Sequence, residues 1–303
     1  MPTNPHMNQQ PLSKNHYNTC RKKNIDINYT MSSNWIAHHA SVHALSLVQK
    51  ACDTHSIKIL PVKGILTSYL LYEDPFKRTL SDVDIRISQS DLGKLLSIAS
   101  KYGWKILRYC PEYKNIILSI GGIQIDVETT VGPPGVCSLT VEEMLTQAKE
   151  HTSPFGFPHL QPEIHQHALL LCMNIFKDKL IYAQKWAIQD VEQIITHKNF
   201  DVRKFIHLVK RSHNQTILSI VAKWLSIHHS SKPWTNIYQK LAPRIPRPIY
   251  ARCIHFLIET HDPFPFALKI GARLASDHPP TRKLALKKLY KFAKKKYLVN
   301  LLS

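Results

Sequence analysis

The sequence predicts an α+β protein, with a small mixed-sheet unit followed by an all-helical one. Three observations predict it. Short β-type runs are confined to residues 57–128, where Gly121-Gly122 supplies a tight hairpin turn. Between those runs lie segments of helical spacing. Past residue 134 the pattern is helical, punctuated by proline at positions 243, 246, 248, 263, 265, 279 and 280.

In chain order, residues 1–31 are polar, rich in Asn and lack periodicity, so they read as a disordered tail. Ser33 or Asn34 can cap a helix to about residue 54 that buries Ile36, Ala40, Leu45, Val48 and Ala51. Residues 57–62 form a β-type run, Lys63-Gly64 breaks it, and 65–72 looks helical. Residues 82–87 alternate polar and apolar, as a half-buried strand does. A helix capped by Ser90 runs to about residue 102 and stops at Gly103. Strands follow at 104–109, 115–120 and 123–128. Helical patterning then covers 141–150, 162–176, 183–197, 202–210 and 214–227, and resumes after the prolines. The expected organisation is a tail over 1–31, an α/β domain over 32–134 and a helical domain over 135–303.

Composition narrows the function classes. Hydrophobic residues make up 44% of 303, enough for a core and incompatible with wholesale disorder. No apolar run reaches the roughly 20 residues of a membrane helix, and no secretory leader stands at the start. Six widely spaced cysteines argue against a zinc site or disulfide framework and for a reducing, cytoplasmic setting. The formal charge of +19 predicts attraction to polyanions. It is uneven: residues 241–303 carry 13 Lys and Arg against three acids, a net +10. The densest part, 282–296, holds eight basic residues and no acid on an amphipathic helix. Its Tyr290, Phe292 and Tyr297 read as core contacts rather than a base-stacking platform. The 18 histidines show no ligand spacing and read as surface or capping residues.

The chemistry concentrates in one constellation: Lys63-Gly64, Arg78, Asp82-Val83-Asp84 and Asp126-Val127-Glu128. Residues two apart on a strand share a face, so Asp82 pairs with Asp84 and Asp126 with Glu128. If the strands are neighbours, three or four carboxylates converge. Such crowding is tolerated with raised pKa values or bound cations, and hard oxygen donors suit Mg²⁺ arriving with substrate phosphates. Gly64 at a strand-to-helix turn would let a phosphate approach free backbone N–H groups. Lys63 and Arg78 add positive charge for a triphosphate. Together these parts match phosphoryl or nucleotidyl transfer with paired metals.

Residues 57–103 resemble the nucleotidyltransferase fold of the DNA polymerase β superfamily. The closer likeness is to the uncharacterised nucleotidyltransferase family, which shares the Lys-Gly, an Arg shortly before Asp-x-Asp, a helix ending in Gly plus an aromatic (here Gly103-Trp104), and a later strand acid matching Asp126. The resemblance spans roughly residues 35–195. It implies that Asp82 and Asp84 hold two divalent metals, magnesium or manganese, and that Asp126 completes the shell. It further implies that Asp126 helps deprotonate an acceptor hydroxyl, while Gly64 and Lys63 cradle the triphosphate of an NTP, by default ATP. Two departures stand out. Superfamily members commonly have Gly-Ser or Gly-Gly where this chain has Lys63-Gly64. The family often has His after the third acid and again in the helical part, where this chain has Glu128 and Asn174. Glu128 is therefore the competing third ligand. The implied acceptor is a small-molecule hydroxyl, a protein or an RNA end. Asp190 reads as a helix-surface ion-pair partner or, alternatively, an acid that supports the site. The competing function is a non-catalytic nucleic-acid-binding or regulatory module on a degenerate transferase fold, using the basic C-terminal helix.

Overall fold

The computed structural model describes residues 15–111, 113–132, 136–260, 271 and 273–302. Helix α1 (Asn15–Asp53) leads to strand β1 (Ile59–Val62), α2 (Lys63–Leu71), β2 (Val83–Ile87), α3 (Leu92–Lys101) and the strands β3 (Lys105–Cys110), β4 (Asn115–Ile120) and β5 (Ile123–Glu128). Next come α4 (Val141–Gln147), the short strands β6 (Lys149–His151) and β7 (His159–Gln161), and helices α5 (Ile164–Lys177) and α6 (Lys185–Ile194). The remaining helices are α7 (Val202–Arg211), α8 (Gln215–His228), α9 (Lys232–Leu241), α10 (Pro248–Glu259) and α11 (Pro279–Leu302). Among the described residues no helix is long and apolar enough to cross a membrane.

The main sheet has the order β1-β2-β5-β4-β3. It is mixed: β2 and β5 run parallel, while the other neighbours are antiparallel. In the parallel pair Val83 lies opposite Ile125, Asp84 opposite Asp126 and Arg86 opposite Glu128. One face, with Ile59, Val83, Ile85, Ile87, Ile125 and Val127, packs into a core with α1 and α3. On the other face Leu60 and Val62 join the core of the helical region. The alternation on β1 thus serves two cores, and the charged residues of β2 fall on the side that the helices cover. Asp84 is only 6% exposed and Arg86 fully buried for that reason.

Several local expectations change. Helix α1 begins at Asn15, so residues 15–31, expected within the tail, are helical, whereas residues 1–14 lie outside the described residues. On α1 Leu45, Val48 and Ala51 are buried as read, but Ile36 is 59% exposed and His38 takes a buried place. Ser90 does not cap α3: its hydroxyl pairs with that of Ser88 at 2.9 Å, and Asp91 holds the N-cap position without a side-chain bond. The region read as all-helical includes the β6–β7 hairpin, whose three-residue strands are too short to show a period. Helix α9 fills the stretch before the prolines, beyond the expected helices, and buries Trp234, Ile237 and Leu241. Pro263, Pro265 and the boundary at residue 134 lie outside the described residues. On α11, Ala285 is buried, but Leu286 and Tyr290 are exposed, so Tyr290 is not a core contact.

Candidate active site

Strand β1 ends at Val62 and α2 starts at once, because Lys63 adopts a left-handed φ of 53° and turns the chain. That conformation is uncommon outside Gly and Asn. Here the Lys63 N–H donates to His167 Nε2 at 3.2 Å, which anchors the turn to α5. The ring therefore accepts at Nε2 and carries its proton on Nδ1. Burial, with Arg86 nearby, drives the His167 pKa down to about 3.

The Lys63 ammonium lies 2.6 Å from Asp84 Oδ1. Burial works to lower the Lys63 pKa, but Asp84 and Glu128 more than offset it and leave the group above the ordinary lysine value. Across the β2–β5 pair Asp126 sits beside Asp84. Its Oδ1 is buried with no hydrogen-bond partner among the described residues. Burial, then the charges of Glu128 and Asp84, push the Asp126 carboxyl up to about 6. Asp82, just before β2, accepts from the Ser81 hydroxyl at 2.9 Å. Burial and the Asp84 charge raise its carboxyl above the usual range.

The next register position behaves differently. Arg86 Nη2 lies 2.5 Å from Glu128 Oε2. Burial would lift the Glu128 pKa, but Arg86 and then Lys63 hold it at about 2. A buried pair of this kind tolerates its desolvation only through close contact. Glu128 is thereby committed to Arg86 and does not line the central cavity, whereas Asp126 does.

Arg78 and Gly64 meet in a way the sequence did not reveal. Arg78 Nε donates to Asp190 Oδ1 at 2.9 Å and Nη2 to Oδ2 at 2.7 Å, while Nη1 donates to the Thr79 carbonyl at 3.0 Å. Asp190 also accepts from Thr67 at 3.2 Å and Tyr72 at 2.9 Å. It is an ion-pair partner as read, but at 1% exposure it is buried and not on a helix surface. A Cβ on residue 64 would lie 2.6 Å from Arg78 Nη1. The residue is therefore glycine because a guanidinium presses on it, whatever else approaches that turn.

These elements enclose a cavity of about 250 Å³. Lys63, Gly64, Arg78, Asp82, Asp84 and Asp126 all line it, so of the candidate site residues named from the sequence all but Glu128 face one space. The opposite wall was not foreseen: Asn174, Lys177 and Asp178 from the end of α5, and Trp186 from α6. His167, Asn174 and Asp178 recur at helical spacing, so polar residues on one stripe of an apolar helix are the available signal. A larger cleft of about 910 Å³ adjoins at Trp186 and carries Tyr72, Glu73, Asp74, Gln189 and Glu192.

The donor set suits a hard cation, since it consists of carboxylate oxygens, one of them buried and unpartnered. As the side chains stand, though, no group of three or more His, Cys, Asp or Glu among the described residues could hold an ion. The Lys63 ammonium already supplies the positive charge on Asp84.

A family model described as an uncharacterised nucleotidyltransferase matches residues 15–226. The chain is similar to the solution structure of the antibiotic-resistance factor ANT(2'')-Ia, at 14% identity and a TM-score of 0.42, over 63% of this chain and 98% of that one. The crystal structure of ANT(2'')-Ia with adenylyl-2''-tobramycin gives 14% identity and 0.42, over 57% and 96%. The Thermotoga maritima CCA-adding enzyme complexed with tRNA gives 14% identity and 0.26, over 81% and 80%. No curated protein matches the chain.

Proposed function

The chain belongs to the uncharacterised nucleotidyltransferase family, and we propose that it moves a nucleoside monophosphate from a nucleoside triphosphate, by default ATP, to an acceptor hydroxyl with release of pyrophosphate. The observation that carries this reading is the in-register pairing of Asp84 with Asp126 on one cavity wall, next to Asp82. Asp82, Asp84 and Asp126 would hold Mg²⁺ or Mn²⁺. The unpartnered Asp126 Oδ1 and the raised Asp82 and Asp126 carboxyls are what a cation would relieve. A bound divalent ion would supply activation of the attacking oxygen and neutralise charge on the leaving pyrophosphate.

The chain's own groups have separable tasks. Lys63 would exchange its Asp84 contact for a phosphate oxygen. The free N–H groups at the start of α2 would face the triphosphate at Gly64. Arg78, its guanidinium tied to Asp190 and Thr79, keeps that turn in shape. Asp126 would also help take a proton from an acceptor hydroxyl. The wider cleft beside Trp186 has room for an acceptor. That acceptor is a small-molecule hydroxyl, a protein or an RNA end, and the setting in this reading is the cytosol.

The test combines purified protein, Mg²⁺ or Mn²⁺, each NTP in turn and a panel of acceptors, with pyrophosphate as readout. Asp84→Asn and Asp126→Asn should abolish metal-dependent release. Full activity in either variant would sink the ligand assignment.

One observation favours a second reading. The Lys63 ammonium satisfies Asp84 internally, as it would in a transferase fold that has lost its metal. In that case the protein is a nucleic-acid-binding or regulatory module, its basic C-terminal helix contacting the polyanion. Neither Mg²⁺-ATP binding nor pyrophosphate release would then be seen, and deletion of residues 282–303 would abolish salt-sensitive nucleic-acid binding.

A further inference from the structure

We propose that two basic grooves flanking α7, remote from the catalytic carboxylates in the sequence and lined by different residues, bind the phosphodiester backbone of a polynucleotide. One groove, about 450 Å³, carries Arg203, Lys204, His207 and Arg211. The other, about 620 Å³, carries Arg203 and His207 again with Lys210, Lys240 and Arg244. The second has no acid in its lining, and the first has only Glu163. The Glu163 carboxylate is already engaged: it contacts His165 Nδ1 and accepts from the N–H groups of His165 and Gln166 as the cap of α5.

Helix stability does not explain these charges. Arg203 and Lys204 occupy the first turn of α7, where the dipole disfavours cations; the acid at its N-cap, Asp201, directs Oδ1 to their backbone N–H groups. Arg203 and His207, like His207 and Arg211, are four apart, so protonation of His207 would add like-charge repulsion. Phe205, Ile206, Leu208 and Val209 bury the opposite face, which keeps the basic residues outward. Arg203, Lys204, Arg211, Lys240 and Arg244 are exposed. A ligand with regularly spaced negative charge is what such a surface offsets. Because both grooves share Arg203 and His207, their cations line the two sides of one helix about 10 to 12 Å across. A polymer of phosphates can span that distance, whereas a single phosphate would use only one side.

The test measures anisotropy of labelled single-stranded RNA, RNA duplex and DNA duplex with full-length protein and no nucleotide, so it does not depend on the transfer reaction. One variant carries Arg203→Gln, Lys204→Gln, Lys210→Gln and Arg211→Gln. A control removes the same charge from exposed positions of the α/β unit through Lys50→Gln, Lys58→Gln, Lys101→Gln and Lys105→Gln. The α7 variant should bind at least one of the three at least tenfold more weakly, and its log–log salt slope should fall by about 2 to 3. The control should stay within threefold of the parent. A second variant, Lys240→Gln with Arg244→Gln, touches only one groove wall and should weaken binding at least threefold. Melting temperatures of the α7 variant at or above the parent's exclude misfolding. Equal losses in variant and control, no loss in either, or binding only to vesicles of phosphatidylcholine and phosphatidylserine in equal parts would overturn the proposal.

Discussion

Arg78 and Asp190 stand 112 positions apart in the sequence and form a two-point ion pair, Nε to Oδ1 at 2.9 Å and Nη2 to Oδ2 at 2.7 Å. The pair is buried, and it couples the loop before β2 to α6. Removing one partner leaves the other charge desolvated. Asp190→Ala should therefore cost about 3 to 5 kcal/mol of stability in urea unfolding. Arg78→Met combined with Asp190→Leu should cost less than Asp190→Ala alone. Additive losses would show that the two side chains act independently.

Gly64→Ala places a methyl group 2.6 Å from Arg78 Nη1. The guanidinium cannot swing away without giving up Asp190. The substitution should destabilise by about 1 to 3 kcal/mol. In an Arg78→Ala background the same change should cost well under half as much, as read by chemical denaturation of the four members of the cycle.

Glu128 and Asp126 share a strand face but separate in behaviour. Glu128→Gln leaves the Arg86 guanidinium buried without a counter-ion, so it should lower the melting temperature by several degrees, the scale of about 3 kcal/mol. Asp126→Asn removes a carboxylate whose Oδ1 is buried with no hydrogen-bond partner among the described residues, so it should leave stability at pH 8 unchanged or higher. It should also abolish transfer. The reverse pattern, with Glu128→Gln inactive but stable, would make Glu128 the working acid.

Two buried groups give opposite pH slopes. His167 titrates near 3 in the fold against an ordinary 6.5, so the unfolded chain binds the proton more tightly. Its contribution is full above 6.5 and is lost as pH falls towards 3, by at most about 1.4 kcal/mol per unit. Asp126 titrates near 6 against an ordinary 3.8, so here the folded chain binds the proton more tightly. Its contribution declines as pH rises from about 4 to 6. In EDTA, the urea midpoint of His167→Gln should fall more steeply with rising pH across that window than the parent's. That of Asp126→Asn should rise more steeply. Parallel profiles for parent and variants would refute both assignments.

Much of the site was legible because its logic is local. Alternation on residues 82–87 and 123–128 assigns Asp84 and Asp126 to one side of their strands and Val83, Ile85, Ile125 and Val127 to the other. Gly121-Gly122 pins the β4–β5 register. Lys63-Gly64 marks a strand end. The resemblance added the expectation that these pieces belong together. What escaped was the far wall. Asn174, Lys177 and Trp186 sit on helices whose orientation no local period encodes. The choice between Asp126 and Glu128 was likewise open, because both obey the same alternation. The purpose of Gly64 escaped too, since the atom pressing on it comes from a residue 14 positions later.

The amino-acid order alone determined which segments become the five strands of the main sheet, which side of β2 and β5 is charged, and that carboxylates would crowd together in a basic chain. Those properties follow from side-chain periodicity and charge, which need no knowledge of neighbours. Only the tertiary structure decided which charges are paired. Arg86 claims Glu128, Asp190 claims Arg78, Lys63 claims Asp84, and Asp126 keeps an oxygen without a partner among the described residues. Pairing depends on distances of a few ångströms between elements far apart in the chain, and packing fixes those distances.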